Sequence, residues 1–264
     1  MKVLIAGAAG RIGRVLTDGL ARHGHHVVGV DQVPARSGDQ DWRVSDCGDP
    51  EATRDVFEAE RPDAVIHLAG QPGETSLPDA IASHILTTAA LLDASVQHGV
   101  RRFAFASSNH AVGFAPRTAC LDVTTRPRPD TFYGVGKVAA EALLSLYADR
   151  YGISTIACRI GSFRRAPTTL RELSTWLSPG DCVRLFAACL AAPGPGFAVV
   201  YGISANSRAW WDLEPGRALG YHPVDNSEDF ADGIAARVED VLEAAYVGGP
   251  LATETYRRSA WEQR

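Results

Sequence analysis

Short apolar runs alternate with longer amphipathic stretches along this chain. Val3–Ala6, Val27–Val30, Ala64–Leu68, Arg102–Ala106, Ile153–Cys158 and Phe197–Tyr201 read as strands. Between them, Arg11–His23, Pro78–His98 and Thr131–Arg150 read as helices, with Leu86, Ala90 and Ala94 on one face of the second. Strands separated by helices of this length predict β-α-β units and a parallel sheet. Helices covering both faces of such a sheet account for strands that are apolar throughout rather than alternating. The expected fold is α/β, a Rossmann-type doubly wound parallel sheet. After about residue 160 the pattern loosens, with Pro167, Pro179, Pro193 and Pro195 and a Trp210–Trp211 pair. That region is expected to form excursions from the carboxyl edge of the sheet, where open parallel sheets bind ligands. One domain over 1–264 is predicted, with a cofactor half at 1–160 and a small interwoven substrate-binding part at 161–264. The segment after about residue 245 shows no readable pattern.

Composition narrows the classes. The 264 residues are 45% hydrophobic and 22% charged, an ordinary globular mixture. The formal net charge of −5 argues against a nucleic-acid partner. No apolar run approaches the roughly 18 residues of a membrane helix, and the amino terminus lacks the apolar core of a signal peptide. A cytoplasmic protein with no membrane association is expected. The five cysteines, Cys47, Cys120, Cys158, Cys182 and Cys189, are widely spaced and form no C-x-x-C, so neither structural zinc nor a disulfide framework is expected. The histidines His23, His25 and His26 lie far from the carboxyl edge, and no metal site is expected.

Chemistry concentrates in two places. Gly7-Ala8-Ala9-Gly10-Arg11-Ile12-Gly13 follows a predicted strand and opens a predicted helix. Gly7 permits the tight turn, Gly10 lets a pyrophosphate approach the backbone, and Gly13 lets helix and strand pack closely. An empty structural turn is the plain alternative. Asp31 ends the second strand, where a carboxylate accepts from an adenosine ribose and repels a 2′-phosphate. NAD is therefore favoured over NADP, although Arg11 and Arg36 could reach a 2′-phosphate. Asp46 and Cys47 are expected to border the adenine, and Leu68, Ala69 and Gly70 to skirt the cofactor.

The second place combines Ser107-Ser108 at a strand end with Tyr133 and Lys137, four apart on one helix face. A lysine ammonium beside a phenol lowers the tyrosine pKa and makes Tyr133 a workable general base. A serine at that strand end would hydrogen-bond the oxygen that loses its proton.

Glycine turn, strand-end serine and Tyr-x-x-x-Lys, in this order, resemble the extended short-chain dehydrogenase/reductases. Ser107–His110, Tyr133–Lys137, Arg159–Ser162, Leu173–Trp176, Ser204–Asn206 and Trp210–Asp212 resemble the bacterial uronate dehydrogenases within that superfamily. The resemblance implies NAD-dependent oxidation of galacturonate or glucuronate at C1 to an aldarolactone, without a metal. It implies Tyr133 as base, Lys137 lowering its pKa and holding the nicotinamide ribose, and Ser108 on the C1 oxygen. It places Gly73, Asn109, His110 and Ser162 at the sugar and Arg171 on the C6 carboxylate, whose two oxygens match a guanidinium fork. Taken singly, Arg171 reads as a solvated charge, Ser162 as a turn residue, His110 as a loop histidine and the tryptophans as packing. The chain departs from the family at Pro72, in place of a substrate-contacting serine, and at His84, where asparagine is common. A nucleotide-sugar epimerase or dehydratase is the alternative reaction, and a non-catalytic dinucleotide sensor the alternative class. A homo-oligomer joined through the two long helices is expected.

Overall fold

A computed structural model describes residues 1–36, 41–117, 120–194 and 196–262. Strands β1 (Lys2–Ala6), β2 (His26–Asp31), β3 (Trp42–Val44), β4 (Ala64–His67), β5 (Arg102–Ser108), β6 (Ser154–Ile160) and β9 (Phe197–Gly202) form one sheet in the order β3-β2-β1-β4-β5-β6-β9. Every neighbouring pair is parallel. A separate two-stranded ribbon joins β7 (Ser162–Phe163) to β8 (Trp176–Leu177).

The period-2 alternation of side chains splits the core between the two faces. Val3, Ile5, Ala104 and Ala106 point to a cluster completed by Leu16 and Leu20 of α1 (Arg11–Arg22) and by Val183, Phe186 and Leu190. Leu4, Ala6, Phe103 and Phe105 point the other way, onto Phe57, Leu91, Leu92, Ala140 and Leu144. Buried on both faces, the central strands β1, β4 and β5 have no solvent-facing side, which is why they read as apolar runs.

The longest of the helices not expected from the pattern are α2 (Pro50–Glu60) and, in the loosened region, α7 (Pro179–Ala191). Each opens on proline at its first position behind a capping side chain. Asp49 accepts from the Glu51 and Ala52 amides, and Ser178 accepts from the Asp181 amide. Proline stops a helix it enters from within, but starts one whose first amide is unbonded anyway. Pro179 therefore marks a beginning, not a break. The expected Pro78–His98 helix is also not a single α-helix. It runs as α3 (Leu77–Ala80), a π-helical stretch Ile81–Leu86, and α4 (Thr87–Gln97). The widened turn rotates His84 into the interior, where it is buried. Trp211 is core, stacked on Tyr201 at 5.4 Å in a third apolar cluster with Val112, Ile203, Leu213 and Val247.

Candidate active site

The strand order reverses direction between β1 and β4, and the carboxyl ends of the strands open there into a cleft of about 1070 Å³. This is at the upper end of the size of small-molecule and cofactor sites. Gly7, Gly10, Arg11, Ile12, Gly13, Asp31, Asp46, Cys47, Leu68, Ala69 and Gly70 all line it, as do Ser108, Tyr133 and Lys137.

The glycine turn is built for close approach. Gly7 has φ +85°, and a Cβ there would lie 2.6 Å from the Ala69 nitrogen. A Cβ on Gly13 would lie 2.5 Å from the Gly7 carbonyl oxygen. Both positions exclude side chains, so the amino terminus of α1 stands bare at the cleft. Asp31 faces the same turn, and its Oδ2 accepts from the Ala9 amide at 2.8 Å.

Three elements converge at the other end. Ser107 continues the Phe103–Phe105 face of β5, and its hydroxyl donates to Glu141 at 2.6 Å. Ser108 points oppositely, and its oxygen accepts from the His110 amide at 3.2 Å. Tyr133 and Lys137 sit in the first turns of α5 (Phe132–Tyr151), which starts at a Thr131 cap bonded to the Gly134 amide. Lys137 is buried, and its ammonium donates to the Ala106 carbonyl at 2.8 Å, 5.4 Å from the centre of the Tyr133 ring. Burial pulls the Lys137 ammonium down to about 7, against the opposing pull of Glu141.

The expected effect on Tyr133 is reversed here. Its phenol is raised, because loss of solvent outweighs the hydrogen bond with Ser108. The Lys137 ammonium donates to the Ala106 carbonyl, and no hydrogen bond joins it to the phenol among the described residues. In this geometry the lysine is the group closest to neutrality, and the tyrosine is a phenol.

That inversion has a measurable consequence for stability. The unfolded chain keeps Lys137 protonated to about 10.5, whereas the folded protein releases the proton near 7. Between those values the unfolded state binds more protons, so folding stability rises with pH, by roughly 5 kcal/mol across the window. Lys137→Met is expected to flatten this rise and to melt no lower than the parent at pH 7. Melting curves from pH 6 to 9.5 check it; an undiminished rise in the variant would contradict the assignment.

Several supporting residues were missed in the sequence. Glu141, one turn beyond Lys137, accepts two bonds from Arg159 of β6, at 3.0 and 2.8 Å. This buried bidentate pair pins α5 to the sheet. Glu74, from the loop after β4, accepts from the Phe132 and Tyr133 amides at 3.1 and 3.2 Å. A carboxylate there suits the positive end of a helix. His84 lines the cleft with its ring 5.1 Å from Tyr133, edge to face. Neither of its nitrogens has a well-formed hydrogen-bond partner among the described residues, and burial with the neighbouring Lys137 drives it down to about 3, against the opposing pull of the Gln71 backbone. Only the departure at position 84 hinted at it.

The residues expected at the sugar do not line the cleft itself but surround its catalytic end. Gly73 follows the lining residue Pro72, and Ser162 lies between the lining residues Gly161 and Phe163. Ser162 bonds Thr175 at 2.8 Å. His110 is held by Asp130 at 2.9 Å through Nδ1. Asn109, the residue after Ser108, reaches Arg171: with its amide nitrogen donating to Ile160 O at 3.2 Å, its oxygen accepts from Arg171 Nη2 at 2.7 Å. Arg171 is no solvated charge, since Nη2 also donates to the Val247 carbonyl at 2.6 Å. Burial and the nearby Arg117 lower it to about 10, so it stays cationic at neutral pH. No cluster of three or more metal-ligating side chains occurs among the described residues, nor does any helix there have the length and apolarity to cross a membrane.

Residues 3–163 match the NAD dependent epimerase/dehydratase family. A curated relative, uronate dehydrogenase of Pseudomonas syringae pv. tomato, is 36% identical over 94% of this chain and 92% of its own. The chain belongs to the NAD-dependent epimerase/dehydratase family. A solved structure of Agrobacterium tumefaciens uronate dehydrogenase, a tyrosine-to-alanine variant complexed with NAD, superposes with a TM-score of 0.89 at 32% identity. That match covers 98% of this chain and 99% of that one. A further family member, UDP-glucose 4-epimerase of Mycolicibacterium smegmatis, is 30% identical over 58% of this chain but only 53% of its own length.

Proposed function

We propose that this family member is an NAD-dependent dehydrogenase that oxidises a hexuronate, galacturonate or glucuronate, at C1 to the aldarolactone. The observation that carries the reading is one connected set of residues. Ser108, Tyr133 and Lys137 meet at the end of the glycine-lined cleft, and Asn109, the residue after Ser108, reaches the cationic Arg171. The near full-length match to uronate dehydrogenases supports it, whereas the chain spans about half of the epimerase.

The cleft fits a dinucleotide: bare backbone at Gly7, Gly10 and Gly13, and a carboxylate at Asp31 for the ribose. NAD, when bound, supplies the hydride acceptor. The protein supplies the rest. Arg171 holds the C6 carboxylate and so fixes which end of the sugar reaches the cleft. Ser108 hydrogen-bonds the C1 hydroxyl oxygen. Tyr133 takes that proton as the C1 hydrogen departs as hydride, and Lys137 holds the nicotinamide ribose beside it. His110, fixed by Asp130, and Ser162, fixed by Thr175, present polar groups to the ring hydroxyls.

Purified protein mixed with NAD and galacturonate or glucuronate is expected to accumulate NADH, followed by absorbance. An epimerase would recycle the hydride and accumulate none. Absence of NADH with both acids would overturn the substrate assignment.

A further inference from the structure

The unreadable segment after residue 245 turns out to be stitched to the site. Residues 243–249 run alongside residues 113–117. The Gly248 amide donates to the Gly113 carbonyl at 2.8 Å, Val247 to Ala115 at 3.0 Å, and Arg117 to Ala245 at 3.2 Å. Arg117 adds a side-chain anchor from Nη1 to the Glu243 carbonyl at 2.8 Å. This strap delivers the Val247 carbonyl onto the Arg171 guanidinium, which reaches it through both Nη2, at 2.6 Å, and Nε, at 3.2 Å.

Two consecutive glycines make the contact possible. Gly249 adopts φ +61°, and a Cβ there would lie 2.5 Å from both Cδ and Nε of Arg171. A Cβ on Gly248 would lie 1.7 Å from Oδ2 of Asp130, the carboxylate that holds His110. The strap thus presses bare backbone against the supports of two sugar-side groups at once. With Nε engaged by Val247 and Nη2 shared between Val247 and Asn109, the plane of the guanidinium is fixed from two sides. Its Nη1 carries no hydrogen bond among the described residues, so it is the group left to meet a ligand.

We propose that the carboxy-terminal strap, through Gly249 and the Val247 carbonyl, positions Arg171 and thereby sets the preference for acid-bearing over neutral sugars. This rests on the reading of Arg171 as the carboxylate clamp. A guanidinium held at one edge keeps its reach constant and selects for a carboxylate at a fixed distance from C1. Gly249 and Val247 are positioning residues: they act on the sugar only through Arg171.

The test is Gly249→Ala in the full chain, assayed with NAD against galacturonate and against galactose, the same ring without the carboxylate. KM for galacturonate is expected to rise at least tenfold. The kcat/KM for galactose and the Kd for NAD should stay within about twofold. Arg117→Lys, which loosens the Glu243 anchor while keeping the positive charge that acts on Arg171, should shift the same ratio in the same direction by less, and serves if the glycine variant does not fold. A parallel fall on both sugars, or no change on either, would overturn the proposal. Should the unaltered protein itself show no preference for galacturonate, the clamp reading fails along with it, and the parent assay alone reveals that.

Discussion

Tyr133→Phe is expected to cut kcat on uronates by roughly 10³-fold while leaving NAD affinity within a few-fold. The phenylalanine ring keeps the packing of the original against His84, 5.1 Å away, and His110, 6.0 Å away. Only the hydroxyl disappears, and with it the group proposed to accept the proton of the C1 hydroxyl. General-base removal costs about 10²–10⁴-fold in rate. The cofactor turn is carried by β1 and α1, which that hydroxyl does not touch. A second signature separates chemistry from packing. Since the phenol is raised by burial, the parent's kcat/KM should climb with pH through the neutral range, as the small phenolate fraction grows. The phenylalanine variant should lack that climb. Wild-type turnover in the variant, or a pH profile identical to the parent's, would remove Tyr133 from the role of base.

Arg171→Ala is the second large effect. The guanidinium is enclosed and cationic, and a carboxylate bound to it would be largely desolvated. Removing one partner of such a pair costs about 2–5 kcal/mol, or roughly 30- to several-thousandfold in kcat/KM. Arg171→Lys should recover little. The three donors of an ammonium diverge from one nitrogen on a shorter side chain and do not reproduce the planar fork that spans the Val247 carbonyl, Asn109 and a ligand. Steady-state kinetics on galacturonate and on galactose check both variants. The loss should fall on the acid and spare the neutral sugar. Equal loss on both would make Arg171 a structural residue of the strap, and no loss would exclude it from the site.

Much of this was legible along the chain because the signals were local. The strands β1, β2, β4, β5, β6 and β9 are runs buried on both faces, and Gly7, Gly13 and Asp31 act through backbone shape and position at strand ends. Tyr133 and Lys137 are joined by helical periodicity. The parts that escaped depend on distance in sequence. Glu141 meets Arg159 and Ser107 only once α5 lies on the sheet. Glu74 caps a helix 58 residues away. The π-helical turn that faces His84 inward leaves no mark in the apolar spacing of its helix. The pKa of Tyr133 was misjudged for a related reason. Proximity of Lys137 was readable, but the competing Ala106 carbonyl and the loss of water around the pair were not.

The Glu74 cap ties the loop after β4 to the helix that carries Tyr133. A loop of this kind is ordinarily where a family explores new substrates by insertion and deletion. Here its length is not free. Adding or removing a residue between β4 and Glu74 would drag the first turn of α5, and Tyr133 with it, out of register with Ser108. New sugar preferences on this scaffold are therefore expected to arise by exchange of side chains such as Pro72 at constant loop length. Directed evolution that randomises residues 71–73 should outperform libraries that vary the number of residues there.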